Sequence, residues 1–257
     1  MKTQIKYLLA ACLMGFSGYS FAMPPVVKHI KPLIIEKFDY YAIAQRPLTG
    51  FSAVNVGGPF DVVITQGPFE SVKVEGPTDV MDRVITEVNN GVLSVYNKND
   101  GRDWQNWYHS HRKIVVYVSL KDLTSIDISG SGDVFFKEGI RSNSLRLTIS
   151  GAGSMFGTLD VKTLKSYISG YGDMKLKGKA ENSSVKVVSS GDFAAAELLT
   201  VKSDVKVSGS GDAEINASEK IDAKVNGPGD VLYTGTATKV SGVKTGTGDI
   251  TRLQYSK

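Results

Sequence analysis

One phrase recurs seven times in the second half of the chain and limits what the chain can fold into. It reads Ile-Ser-Gly-Ser-Gly-Asp-Val at 128–134 and returns as Ile-Ser-Gly-Ala-Gly-Ser-Met, Ile-Ser-Gly-Tyr-Gly-Asp-Met and Val-Val-Ser-Ser-Gly-Asp-Phe. Val-Ser-Gly-Ser-Gly-Asp-Ala, Val-Asn-Gly-Pro-Gly-Asp-Val and Lys-Thr-Gly-Thr-Gly-Asp-Ile complete the series. The second glycine falls at Gly132, Gly153, Gly172, Gly191, Gly211, Gly229 and Gly248, so successive spacings are 21, 19, 19, 20, 18 and 19. A nearly fixed period of this length is the mark of a repeat architecture, in which each coil meets the same environment as its neighbour. An ordinary meander does not require its turns to look alike.

The tolerances within the phrase suggest a tight turn. The second glycine is present in every copy, the first becomes Ser189 once, and the residue between them varies and is Pro228 in one copy. Proline at the first central position of a turn followed by glycine is the pattern of a type II turn, which needs φ > 0 at the glycine. Around the turns, Leu145, Leu147 and Ile149 alternate with Arg146 and Thr148, and Val205 and Val207 flank Lys206. That period of two, rich in β-branched residues, predicts strands buried on one face. Each period then holds two short strands, the Gly-x-Gly turn and a looser turn such as Lys179–Asn182. The expected fold is an all-β, repeat-built β-solenoid, a superhelix of two sheets joined by Gly-x-Gly turns. Lys244, where other copies have Ile or Val, fits a polar terminal coil.

The rest of the chain divides around this core. Residues 1–22 read as a signal peptide: a basic start with Lys2 and Lys6, an apolar run over 7–16, and Ser20-Phe21-Ala22 for cleavage after Ala22. The run is too short for a membrane span. Leu9-Ala10-Ala11-Cys12 also has the letters of a lipoprotein box, which would tether the chain to a membrane through Cys12, but apolar sequence continues beyond it and soluble export is the preferred reading. Residues 23–50, with Pro24, Pro25, Pro32 and Pro47, read as a leader or linker. Residues 51–257 form one solenoid domain, degenerate over 51–120 and regular over 121–257.

Composition narrows the function. Cys12 is the one cysteine, which leaves the exported part without disulfides or cysteine metal sites. The 30 basic and 26 acidic residues come closer to balance once Lys2 and Lys6 leave with the signal, which argues against nucleic acid as the partner. No Gly-x-Ser-x-Gly elbow, phosphate loop or His-Glu-x-x-His stands in the sequence, so neither an enzyme nor a cofactor is expected.

The Phe51-Ser-Ala-Val opening, Val62-Val-Ile-Thr-Gln-Gly67 and the ladder of Ser-Gly-Ser-Gly-Asp turns together resemble the DUF2807 family, the auto-transporter adhesin head GIN domain, over roughly residues 50–255. The resemblance implies a two-sheet β-superhelix shaped like pectin-lyase solenoids, and an adhesive or surface-interaction role without catalytic residues. The chain carries no ten-residue alternating strands of a membrane barrel at its end.

Candidate sites follow. Asp133, Asp173, Asp192, Asp212, Asp230 and Asp249, interrupted by Ser154, would stack in a column at about 4.8 Å. Each carboxylate is expected to accept backbone N–H bonds within its own turn, with a row of calcium sites as the alternative. Lys186, Lys206 and Lys224 take equivalent outward positions, either solvating a sheet face or offering a basic strip to an acidic glycan or phosphate. Segment 97–112 holds both tryptophans, Trp104 and Trp107, beside Tyr108. These aromatics either cap the core or form a platform for a sugar or protein. His109 and His111 could share a strand face and hold a metal, with no third ligand in sight, and His29 stands alone. The functional expectation is a non-enzymatic exported surface or periplasmic interaction module, adhesin-like, with a glycan or protein ligand and self-association left open. The alternatives are a carbohydrate-binding protein using the aromatic segment, a structural envelope protein and, last, a polysaccharide-active enzyme.

Overall fold

A computed structural model describes residues 41–98 and 113–253. The first part of the chain contributes β1 (Tyr41–Arg46), β2 (Ala53–Gly57), β3 (Asp61–Gln66), β4 (Ser71–Pro77), β5 (Val84–Asn89) and β6 (Val92–Asn97). Then come β7 (Val115–Leu120), β8 (Ser125–Ile128), β9 (Val134–Phe136) and β10 (Ile140–Ile149). Four long strands, β11 (Met155–Ile168), β12 (Met174–Val187), β13 (Phe193–Val207) and β14 (Ala213–Val225), precede the short β15 (Val231–Thr234), β16 (Lys239–Lys244) and β17 (Ile250–Arg252).

These strands build a parallel β-solenoid. From β8 onward each coil pairs in parallel with the next, so Ile128, Ile149, Ile168, Val187, Val207 and Val225 form one column. On the other side of the corner, Val134, Met155, Met174, Phe193, Ala213 and Val231 form a second. Every one of these side chains is buried. Burying an aliphatic or aromatic side chain is worth about 1.5–3 kcal/mol, and no single coil could do it alone.

The two faces are continuous with each other. β12 runs through Lys179–Asn182, where a looser turn was expected, without leaving the ladder. The chain bends at Gly178, whose φ of +107° suits glycine. The inward–outward alternation then resets at Glu181 and Asn182, which are both exposed. A bend needs only a change of phase when coil-to-coil hydrogen bonds persist. All strands thereby belong to a single 17-stranded sheet wrapped about the core.

The beginning of the stack departs from chain order. β2 lies between β6 and β8, and β3 between β7 and β9, all in parallel. Outside them β5 pairs antiparallel with β6, β4 with β7, and β1 with β4. The segment read as degenerate solenoid therefore holds one true coil, β2–β3, a second formed by β6 and β7, and an antiparallel cover. β1 comes from the segment read as leader. Arg46, on β1, donates through Nη2 to the carbonyl of Met81 at 3.1 Å, which ties the cover down.

Candidate interaction faces and the corner ladder

The Gly-x-Gly corners differ from the expected turns. None of the seven second glycines has a positive φ; among the described residues the glycines that do are Gly50, Gly91, Gly139, Gly178 and Gly235. What excludes a side chain is the neighbouring coil. A Cβ on Gly132 would lie 1.9 Å from the carbonyl oxygen of Phe60, on Gly153 2.0 Å from that of Gly132, and on Gly172 1.9 Å from that of Gly153. The same contact recurs at Gly191, Gly211, Gly229 and Gly248, between 2.0 and 2.2 Å. First-position glycines meet the coil before them in the same way, and Gly170 would place a Cβ 1.8 Å from the carbonyl oxygen of Gly151. Ser189 is the exception in that column, and its hydroxyl donates to the carbonyl of Gly170.

The corner aspartates form a ladder between coils rather than bonds within their own turns. Asp133 Oδ1 accepts the N–H of Ser154 at 2.8 Å, Asp173 that of Asp192 at 2.8 Å, and Asp192 that of Asp212 at 2.8 Å. Asp212 accepts from Asp230 and Asp230 from Asp249, each at 2.7 Å. Ser154 keeps the series with its hydroxyl, 3.1 Å from the N–H of Asp173. Meanwhile the backbone carbonyl at each of these positions accepts from the residue after the aspartate of the preceding coil, as in Met174 N–H to Asp192 at 2.9 Å. The carboxylate thus supplies the acceptor that the backbone lacks at the corner.

The ladder begins one coil earlier than the repeats suggested. Val56-Gly57-Gly58-Pro59-Phe60-Asp61-Val62 is an eighth copy, with Phe60 in place of the second glycine. Asp61 Oδ1 accepts the N–H of Asp133 at 3.2 Å. Both ends meet a lysine: Lys113 Nζ lies 3.5 Å from Asp61 Oδ2, and Lys244 pairs with Asp249. Lys244 departs from the pattern beside Asp249, whose carboxylate meets no further coil among the described residues. The signal that could have found the eighth copy was Gly58-Pro59-Phe60-Asp61 set against Gly227-Pro228-Gly229-Asp230.

Two outer faces carry side chains in register. On the first, Lys186, Lys206 and Lys224 stand in one column as their spacing suggested, continuous with Thr148 and Tyr167. A second lysine column, Lys202, Lys220 and Lys239, follows Asn182 four residues away along the strands, and sequence reading missed it. Repeat register was the signal available. Between the two run Ser184, Asp204 and Asp222. On the other side of the corner, Tyr117, Val63, Phe135 and Phe156 form an outward column. Tyr117 and Phe135 are 38% and 37% exposed, and the Phe135 and Phe156 rings stack with centroids 5.3 Å apart. Tyr117 donates its hydroxyl to Glu75 Oε2 at 2.9 Å; this bond, aided by partial burial, holds the phenol above its usual pKa.

A groove of about 1280 Å³ follows the bend across successive coils, with Arg141, Asp160, Lys179, Leu199 and Asn216 among its lining. Trp104, Trp107, Tyr108, His109 and His111 lie outside the described residues, as do Cys12 and the signal segment. In the sequence the aromatic segment falls between β6 and β7. Among the described residues no group of three or more His, Cys, Asp or Glu side chains is placed to hold a metal ion. No helix among them is long and apolar enough to cross a membrane.

Stacked parallel coils, carboxylate-bonded corners and registered outer faces define a parallel β-solenoid. The chain belongs to the DUF2807 family, described as "Putative auto-transporter adhesin, head GIN domain", whose model matches residues 50–237. Solved structures share the fold. A protein from Bacteroides fragilis titled a "putative adhesin" is 24% identical with a TM-score of 0.77, over 83% of this chain and 97% of its own. A "putative adhesin" from Parabacteroides distasonis is 23% identical with a TM-score of 0.68, over 84% and 98%. A "Putative lipid binding protein" from the same species is 18% identical with a TM-score of 0.66, over 83% and 97%. No curated protein matches the chain.

Proposed function

We propose that this protein is an exported, non-enzymatic, adhesin-like module that binds a partner at the cell surface through an outer face of its solenoid. The observation that carries this reading is the outward column Tyr117, Val63, Phe135 and Phe156, whose apolar surface faces solvent next to the capped end. Clustered exposed apolar side chains mark interaction surfaces more often than scattered ones. Rings on a rigid sheet offer contact area at small entropic cost, and sugars and proteins both use it. Trp104, Trp107 and Tyr108, between β6 and β7 in the sequence, are a second candidate contact for such a partner. Export rests on residues 1–22, with the mature chain starting at Met23, and on the family's described role.

The test is binding of the mature protein to intact cells and to a glycan array, comparing wild type with Phe135→Ser/Phe156→Ser and with Trp104→Ala/Trp107→Ala. Binding that falls at least tenfold in either variant while the thermal midpoint holds supports the reading. Wild-type protein that binds no surface at all would leave a purely structural envelope role. N-terminal sequencing of the exported protein decides between Met23 and a lipidated Cys12.

A further inference from the structure

We propose that the outer face spanning β12, β13, β14 and β16 binds a linear acidic glycan, held by the lysine column Lys202, Lys220 and Lys239 and flanked by Lys186, Lys206 and Lys224. This deepens the interaction-module reading and rests on it for placing the partner outside the cell. Pairing across these strands aligns Lys202 with Lys220 and Lys220 with Lys239, and separately Lys186 with Lys206 and Lys206 with Lys224. All six are exposed.

The array is costly and local. Like charges on adjacent strands, about 4.8 Å apart, repel by roughly 1 kcal/mol in water. The fold does not demand lysine there, because the same columns hold Ser144 and Thr163, or Thr148 and Tyr167, in the earlier coils. Two aspartates lie between the columns. Lys206 reaches Asp204 at 3.5 Å and Lys220 reaches Asp222 at 2.7 Å. Lys186 lies 5.4 Å from the centre of the Tyr167 ring. Lys202, Lys224 and Lys239 form no ion pair among the described residues, so the face keeps a net positive charge.

Its relief and chemistry fit a sugar polymer. A cleft of about 270 Å³ opens between the columns, lined by Thr163, Asn182, Ser184, Lys202, Asp204 and Lys220 among others. Lysines there meet a carboxylate or sulfate; the aspartates accept from ring hydroxyls; Asn182, Ser184 and Thr163 exchange hydrogen bonds with the rest. A polymer lying along the solenoid axis would meet a lysine of at least one column on each of β12, β13, β14 and β16. An anionic bilayer would press its headgroups on Asp204 and Asp222, and the exposed apolar side chains of this face, Val240 and Val243, are confined to β16 at its edge. Nucleic acid would meet the same two carboxylates across a dense phosphate array.

The experiment measures retention of the mature protein on immobilised polygalacturonate, with dextran, anionic phosphatidylglycerol vesicles and single-stranded DNA in parallel. Polygalacturonate retention that weakens with added salt, and falls at least tenfold in Lys202→Gln/Lys220→Gln but not in Lys175→Gln on the other face, supports the proposal. Neither variant should fall below the wild-type thermal midpoint. Absent polygalacturonate binding, binding indifferent to Lys202→Gln/Lys220→Gln, or equal retention on vesicles or DNA overturns it. If polygalacturonate binding is absent while intact-cell binding persists, this proposal falls and the interaction-module reading stands.

Discussion

The coils from β8 onward and the segment from β1 to β7 use the same strands under opposite constraints. In the regular stack every corner lies against another corner, and glycine is required because a Cβ would enter a carbonyl oxygen of the adjacent coil. In β2–β3 the equivalent position is Phe60, fully buried, because the coil on its far side joins β6 to β7 through a long segment instead of a Gly-x-Gly corner. Beyond that coil the sheet changes to antiparallel strands. The difference teaches that the glycine phrase records stacking: it is strict where two corners touch and lapses where the stack begins.

The comparison breaks most severely at a buried corner. Gly172→Ala puts a methyl 1.9 Å from the backbone oxygen of Gly153, with no flexible side chain able to yield. Forced overpacking of this kind costs about 3 kcal/mol or more. Gly67→Ala, in the first region, meets nothing nearer than Ser119 Oγ at 3.7 Å, and should stay within about 0.5 kcal/mol of wild type. Urea unfolding of the two variants measures the contrast. Equal midpoints would mean that corner stacking does not set the glycine requirement.

Phe60→Gly asks the converse question, since it restores the repeat consensus at the one corner that lacks it. If Phe60 fills space that a corner fills elsewhere, consensus should harm: removing a buried phenyl costs about 3–5 kcal/mol. A neutral or stabilising result in the same denaturation assay would show that the first corner follows the rule of the others.

Much of this was legible in residues because glycine and aspartate requirements are local and repeat. Export aside, the sequence pointed to the solenoid, its corners and the column of Lys186, Lys206 and Lys224. The cause of the glycine was not legible, because a positive φ and a close carbonyl select the same residue. Phe60 hid the eighth copy by replacing its marker. Alternation over Val72 and Val74 marks β4 as a strand but carries no information on the direction of its partners, and β5 was not read from the sequence. The Lys202, Lys220 and Lys239 column was obscured by irregular register, as between Ala194 and Leu199 against β14, which makes the period vary. The aromatic column was missed because its members come from β7, β3, β9 and β11, whose neighbours are set by the departure from chain order.

The aspartate ladder separates interior from end more gently. Asp192→Ala leaves the Asp212 N–H without its 2.8 Å acceptor, a loss of about 1 kcal/mol for a solvent-accessible hydrogen bond. Asp192→Ser should recover most of it, as Ser154 does naturally. Asp249→Ala, at the last described coil, removes an exposed pair with Lys244 and should cost under about 0.5 kcal/mol. Thermal midpoints in the order Asp249→Ala, Asp192→Ser, Asp192→Ala, from highest to lowest, support a ladder that works between coils. An Asp249→Ala loss equal to that of Asp192→Ala would point to a role within each turn instead.

The smallest expected effect lies in the antiparallel cover, at Tyr117 and Glu75, where β7 meets β4. Their hydrogen bond raises the phenol pKa in the folded protein, so folding favours the protonated hydroxyl. The contribution is therefore complete below the unfolded phenol value of about 10 and disappears as pH rises through the higher folded one. Tyr117 is 38% exposed, so solvent limits the bond to under about 0.5 kcal/mol. Tyr117→Phe should lie slightly below wild type at pH 7, and the gap should close in alkaline solution. The corner ladder has no phenol, so Asp192→Ala measured over the same alkaline range should keep its full deficit. A Tyr117→Phe deficit that persists unchanged at high pH would mean that the ring's packing on β7, rather than its hydroxyl, supports the cover.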